Sequence, residues 1–108
     1  MIEPYNFIIN QGATWEWSLE DFSFSLDGAV FTMEIRESPN RTSDLLFSVT
    51  PYLTIESGRL LATVPDTVTY DFSFTKGFYD LFVEVDGTKT KLLSGSVDVV
   101  EQITDVSA

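Results

Sequence analysis

The chain has 108 residues, of which 17 are acidic and six basic, and its net charge is −11. This length fits one domain spanning residues 1–108, and the 44% of hydrophobic residues allow it to bury a core. The absence of histidine and cysteine removes the commonest general base, the commonest metal ligands and any disulfide, and the acidic charge argues against binding to a nucleic-acid backbone.

Alternating apolar and polar residues predict short strands through the first half of the chain. They occur in "YNFIIN" at 5–10, in "WEWSLE" at 15–20 and, most regularly, in "VFTMEIRE" at 30–37. Tyr5, Phe7 and Ile9 share one face of the first strand. The apolar faces of the next two strands carry Trp15, Trp17 and Leu19, and Phe31, Met33 and Ile35. The segment "SPNRTSD" at 38–44 consists almost wholly of turn-forming residues and predicts a loop.

The second half of the chain carries further strands and stronger turn signals. Pro51 cannot donate a ladder hydrogen bond, so the strand at 45–56 should be interrupted, short or at an edge. Glu56–Gly58 predicts a tight hairpin, and residues 65–72 predict at most one short helical turn that crosses between sheets. No periodicity typical of a long helix occurs.

Residues Lys76–Val100 predict a β-hairpin with Asp86-Gly87 as its two-residue turn. One face of its first strand should point to the core, and the other carries Phe78 and Phe82 among acidic residues. Ser94-Gly95-Ser96 predicts a bulge that shifts the inward set of the last strand to Val97 and Val99. The expected core face comprises Tyr79, Leu81, Val83 and Val85.

Together these signals predict an all-β fold. Seven or eight short antiparallel strands, with turns every eight to twelve residues, are typical of a sandwich or small barrel. At this length we expect a single immunoglobulin-like β-sandwich, with at most one short helical turn near 65–72. No segment has the length and hydrophobicity of a membrane span, and the start "MIEPYNFIINQG" lacks the basic and apolar regions of a signal peptide. We therefore expect no membrane partner and a mature chain that begins at Met1.

No set of residues in the sequence indicates an enzyme. No nucleophile motif, nucleotide-binding loop or calcium-binding loop occurs, so we expect no catalysis, no metal and no cofactor. Two carboxylate pairs, Glu16 with Glu20 and Glu84 with Asp86, have the chemistry of glycosidase residues. Their positions on polar strand faces favour a solvated surface instead.

Trp15 and Trp17 are the best candidates for contact with a ligand. On a strand they project to one face, and two coplanar, exposed indoles would form a sugar-binding platform or a hot spot for a partner. The alternation with Glu16 and Ser18 favours the interpretation that this is the core face. A carbohydrate-binding module for host recognition remains an alternative function.

Three long segments, "NFIINQGATWEWSLE", "LDGAVFTMEIRESPNRTSDLLFSVT" and "SGRLLATVPDTVTYDFSFTKGFYDLFVEVDGTKTKLLSGSVDVVEQIT", resemble small structural proteins of tailed bacteriophages. They are also similar to the N-terminal modules of baseplate or fibre-associated proteins. The matching positions are Gln11-Gly12, Met33–Arg36, Gly77–Val83 and Lys91–Val99. The chain departs from the pattern at 66–77, where these proteins often have a longer helical turn.

This resemblance implies an immunoglobulin-like virion module without catalytic residues. It implies an adaptor or accessory subunit of the tail, neck or baseplate, or alternatively a capsid decoration protein, assembled in the bacterial cytoplasm in symmetric copies with other virion proteins. Docking could use a sheet edge, loop 38–44, segment 1–5 or tail 104–108. The candidate partner contacts are Phe78, Phe82, Arg36, Arg41 and Tyr5.

Overall fold

A computed structural model describes residues 5–104, and in that range the chain forms eight strands in two sheets. Burial alternates along most of the strands, as the sequence predicts. The strands are β1 (Phe7–Asn10), β2 (Trp15–Leu19), β3 (Val30–Arg36), β4 (Leu45–Ser48), β5 (Leu53–Glu56), β6 (Arg59–Val64), β7 (Lys76–Val85) and β8 (Thr88–Val100).

The strand order is that of an immunoglobulin-like sandwich. One sheet has the order β1-β8-β7-β3-β4 and the other β2-β6-β5. Strands β2, β6 and β5 form one layer, and in the other layer β7 lies between β8 and β3, which is the immunoglobulin arrangement. The prediction of an all-β, immunoglobulin-like sandwich is confirmed. One pairing departs from the expected antiparallel pattern, because β1 runs parallel to β8, with Phe7 opposite Val97.

The core lies between the two sheets and consists of the inward residues of both. The inward residues expected on β3 and β7 are all buried or packed against the core, and Val97 and Val99 are buried on β8, as predicted. An aromatic cluster centres on Phe7, whose ring centroid lies 5.2 Å from that of Trp15 and 5.1 Å from that of Tyr79. The largest fully buried side chains are Ile9, Met33, Ile35, Leu60, Leu81, Val49, Val64, Val97 and Thr69.

Pro51 marks the place where the chain changes sheets. It lies in a 3₁₀ turn, Thr50–Tyr52, between β4 of the five-stranded sheet and β5 of the three-stranded sheet. Proline cannot extend a ladder, so the interruption predicted from the sequence coincides with the crossing. Thr50 fixes the crossing to β3, because its Oγ1 accepts a 3.0 Å hydrogen bond from the backbone N–H of Met33.

A second connection between the sheets contains the short helix α1 (Asp66–Thr69), within the predicted range 65–72. Thr69 is fully buried there. Its Oγ1 accepts a 3.1 Å hydrogen bond from Gly12 N–H and lies 2.8 Å from the backbone oxygen of Ala13. Gln11 reinforces this connection, since its Nε2 donates to the backbone oxygen of Phe72 at 3.0 Å. These contacts explain locally why a Gln11-Gly12 pair ends the first strand.

The β7–β8 hairpin has the predicted turn but a different bulge. Asp86 and Gly87 both have positive φ, at 52° and 82°, as a two-residue turn of this kind requires. The register shifts where Leu81 pairs with Leu93 and Phe82 with Lys91, which makes Leu92 the extra residue. The bulge predicted at Ser94–Ser96 is therefore wrong. Gly95 instead admits the N-terminal backbone, since a Cβ there would lie 2.2 Å from the Tyr5 oxygen.

Candidate docking surface

The outward face of the five-stranded sheet, called here the outer face, collects most of the predicted partner contacts. It comprises the residues of β1, β8, β7, β3 and β4 that point away from the three-stranded sheet. Residues directly opposite each other on neighbouring strands share a face. Phe78 lies opposite Arg36 and Ser96, and Phe82 lies opposite Thr32 and Lys91. The sequence prediction that Phe78 and Phe82 lie away from the core is confirmed.

Each of the two phenylalanines has a lysine above its ring. Lys76 Nζ lies 5.9 Å from the ring centroid of Phe78, and Lys91 Nζ lies 5.7 Å from that of Phe82. Both rings are half-buried by these and neighbouring side chains. At a solvent-exposed site such a contact contributes about 0.5–1 kcal/mol. The lysines thus partly cover two large apolar groups.

Ion pairs hold the same lysines loosely. Lys76 Nζ lies 3.4 Å from Asp98 Oδ1, and Lys91 Nζ lies 3.7 Å from Asp80 Oδ2, in side chains that are each 40% exposed or more. Exposed pairs of this kind stabilise a fold by about 1 kcal/mol or less. They therefore leave both lysines available for other contacts.

Arg36 joins the outer face to the loop 38–44. Its Nη2 contacts Glu34 Oε1 at 2.8 Å, and its Nη1 donates a 2.7 Å hydrogen bond to the backbone oxygen of Ser43. Arg41, on that loop, is exposed and lines the same shallow groove as Arg36 and Phe78. Four of the five predicted contacts are therefore brought to one region of the surface.

Tyr5 lies apart from this group. Its ring packs edge-on against Phe7, with the centroids 4.8 Å apart, although 55% of the residue is exposed. Its backbone oxygen accepts a 2.6 Å hydrogen bond from the Tyr79 hydroxyl. Tyr5 thus anchors the incoming chain to the sandwich. The remaining residues of the predicted terminal contact segments, 1–4 and 105–108, lie outside the described part of the structure.

Several outer-face residues were missed by reasoning from the sequence. The exposed apolar residues on this face are Ile8, Val30, Leu45 and Val100, between 49% and 64% exposed. The lysines above the phenylalanines were missed as well. Alternation identifies which residues of one strand point outward. Which outward residues of different strands become neighbours depends on the pairing register of the five strands.

The tryptophans face the core. Trp15 is buried, and the half-buried Trp17 packs against the core cluster. Their rings are inclined at 55° with centroids 6.4 Å apart. The coplanar, exposed pair that a sugar-binding platform requires is therefore not formed, because alternation directs both indoles inward. Trp17 Nε1 is buried without a hydrogen-bond acceptor among the described residues.

The carboxylate pairs do not converge into a site. Glu16 and Glu20 are exposed at β2, Glu84 lies opposite Lys89, and Asp86 occupies the hairpin turn. In the described range, no cluster of three or more acidic residues is arranged to hold a metal ion. None of the helices of residues 5–104 has the length and apolar character needed to cross a membrane.

Comparison with solved structures finds immunoglobulin repeats. A structure of tandem Ig repeats of Dlar is 14% identical, with a TM-score of 0.47, and the match covers 92% of this chain and 46% of that one. The N-terminal four Ig domains of Dscam1 isoform 6.9 are 11% identical, with a TM-score of 0.48, over 89% of this chain and 22% of theirs. The chain thus spans less than half the length of either structure. No protein-family model and no curated protein matches the chain. The immunoglobulin-like assignment rests on the strand order described above.

Proposed function

We propose that this protein is a non-enzymatic structural component of a bacteriophage virion and acts by docking to other proteins. The observation that carries the proposal is the outer face, where aromatic, apolar and paired charged residues of five strands form one exposed surface. Interfaces combine this kind of aromatic and apolar centre with charged residues that set the register.

The sequence supports the virion as the setting. Its segments resemble tail, neck and baseplate-associated proteins, and a sandwich without cysteine suits assembly in a bacterial cytoplasm. The net charge of −11 keeps unassembled copies soluble. We assign the protein to the tail, neck or baseplate. Decoration of the capsid is the variant of the same proposal in which only the location differs.

Quantitative mass spectrometry of purified particles from the phage that encodes the protein tests this proposal. We expect a fixed copy number per particle that survives washing in high salt, since a structural subunit remains bound. Cryo-electron microscopy then distinguishes a tail, neck or baseplate position from the capsid. Absence of the protein from particles that are complete and infectious would refute the proposal.

A further inference from the structure

The outer face differs in charge from the rest of the molecule. Four of the six basic residues point outward from it, together with four of the 17 acidic residues. The formal charges of the face therefore cancel, and the other residues of the chain carry the whole net charge of −11. The basic residues are Arg36, Lys76, Lys89 and Lys91, and the acidic residues are Glu34, Asp80, Glu84 and Asp98.

This distribution favours one kind of partner for the face. A basic partner is attracted to the acidic remainder of the molecule rather than to a face without net charge. An acidic partner gains no net attraction from the face and is repelled by the net negative charge of the rest of the molecule. A second copy is also repelled by the acidic remainder of the molecule. When two outer faces meet, however, neither surface carries a net charge, so the contact itself involves no net repulsion.

Face-to-face packing also separates the acidic residues on the three-stranded sheets of two copies, Glu16 and Glu56. Stacked sheets lie about 10 Å apart, so the two three-stranded sheets of such a pair would lie roughly 30 Å from each other. At 0.15 M ionic strength the Debye length is about 8 Å, so repulsion across that distance is largely screened. The shortest extent of the molecule, 20 Å, is consistent with this spacing.

The contact chemistry of the face is suited to itself. Phe78 and Phe82 lie two positions on either side of Asp80 along β7, with Lys76 and Glu84 beyond them. A two-fold rotation about an axis that crosses the strands at Asp80 brings Phe78 of one copy towards Phe82 of the other, and Lys76 towards Glu84. Aromatic rings thus meet aromatic rings, and opposite charges meet at both ends.

The same axis brings Asp80 and Glu34, which are opposite each other on β7 and β3, towards their own copies. Lys91 and Arg36, which lie 3.7 Å and 2.8 Å from these carboxylates, offset that repulsion.

We propose that the outer face binds the outer face of a second copy, forming a two-fold symmetric dimer. Phe78 and Phe82 form its centre. The lysines above them move aside to pair with acidic residues of the other copy. This inference specifies one of the docking contacts in the proposed function and rests on it only for its biological setting.

Sedimentation of the purified protein in 0.15 M salt tests the dimer. We expect the mass to rise from that of the 12.1 kDa chain to twice that value between about 1 µM and 1 mM. A mass that remains monomeric over this range overturns the proposal, and so does a larger open assembly, since a two-fold contact closes at two copies.

Two charge-reversal variants locate the contact. Lys91→Glu and Arg59→Glu change the net charge of the chain equally, but Lys91 lies on the outer face and Arg59 on β6 of the other sheet. We expect Lys91→Glu to weaken dimerisation at least 10-fold and Arg59→Glu to change it less than 3-fold. Equal effects of the two variants would show that total charge governs association and would overturn the assignment of the face.

An apolar pair of variants gives an independent check. Phe78→Ser with Phe82→Ser should abolish the dimer, whereas Leu61→Ser, on the outward side of β6, should retain it. Circular dichroism confirms that each variant folds. If the phenylalanine variant is unfolded, Phe82→Leu replaces it and should weaken the dimer without unfolding the chain. A dimer that survives loss of both rings overturns the proposal.

Presence of the protein in virions together with a monomer in solution would reject the dimer alone and leave the proposed function standing.

Discussion

Thr69 is the only buried polar residue identified among residues 5–104, and its hydroxyl connects α1 to the chain that follows β1. Replacement by valine preserves the shape of the side chain and removes this connection. The Gly12 N–H then loses its acceptor in a half-buried position, which costs about 1–3 kcal/mol. The Ala13 oxygen loses a donor but lies in an exposed residue that water can reach, so its loss costs about 0.5–1.5 kcal/mol.

We therefore expect Thr69→Val to lower the free energy of unfolding by about 1.5–4.5 kcal/mol. For a domain of this size, each kcal/mol lowers Tm by about 4–8 °C. Urea denaturation followed by the fluorescence of Trp15 and Trp17 measures the change, because both indoles lie in or against the core.

Two variants serve as controls for this measurement. Thr69→Ser keeps the hydroxyl and removes one buried methyl group, which should cost about 1 kcal/mol. Thr67→Val makes the same chemical change at an exposed neighbour and should alter stability by about 0.5 kcal/mol or less. A valine at position 69 that costs no more than serine there would refute the argument that the hydroxyl holds the two elements together.

Three further predictions concern other contacts of the sandwich. Gly95→Ala should displace the N-terminal segment and lower stability by about 1–3 kcal/mol in urea titrations, because its Cβ would overlap the Tyr5 oxygen, whereas Ser94→Ala should change little. Burial, and to a smaller extent the neighbouring Tyr5, raises the pKa of Tyr79 above its ordinary value. The unfolded state therefore ionises first, so stability should fall by up to about 1.4 kcal/mol per pH unit above about pH 10, and a flat difference between wild type and Tyr79→Phe over that range would contradict this reasoning. Trp17→Phe should cost about 1–2 kcal/mol in thermal melts, because the smaller ring loses packing against the core while the buried N–H that it removes has no described acceptor; a loss above about 4 kcal/mol would contradict this reasoning.

Local features of the fold could be predicted from the sequence because they depend on neighbouring residues. Alternation identified the strands and their inward faces, and Asp86-Gly87 identified a turn with two positive φ values. Pro51 identified an interruption, but not that the chain crosses there to the other sheet. The sheet that the chain joins after Pro51 depends on which strands are available for pairing. The periodicity of the sequence carries no information about this.

The bulge illustrates the same limit and affects the candidate site directly. Gly95 suggested an irregular strand, yet the glycine is needed for the approach of a distant backbone, and the extra residue is Leu92. Without that shift, Leu92 would lie opposite Phe82, and the side chain of Lys91 would point towards the core. The phenylalanines of the outer face, and Lys76 beside Phe78, could therefore be predicted from β7 alone, whereas the position of Lys91 beside Phe82 required the register of β7 with β8.

The pairing of the first strand with the last has a consequence for synthesis of the protein. Asn6 accepts a hydrogen bond from Ser96, which lies 90 residues further along the chain, and Phe7 and Ile9 pair with Val97 and Val99. At a translation rate of about 5–20 residues per second, the first strand leaves the ribosome roughly 5–20 s before its partner. Throughout that interval two side chains destined for the interior remain in water. The sandwich cannot close until the last strand has left the ribosome, and the negative charge of the emerging chains helps to keep neighbouring ones on a polysome apart.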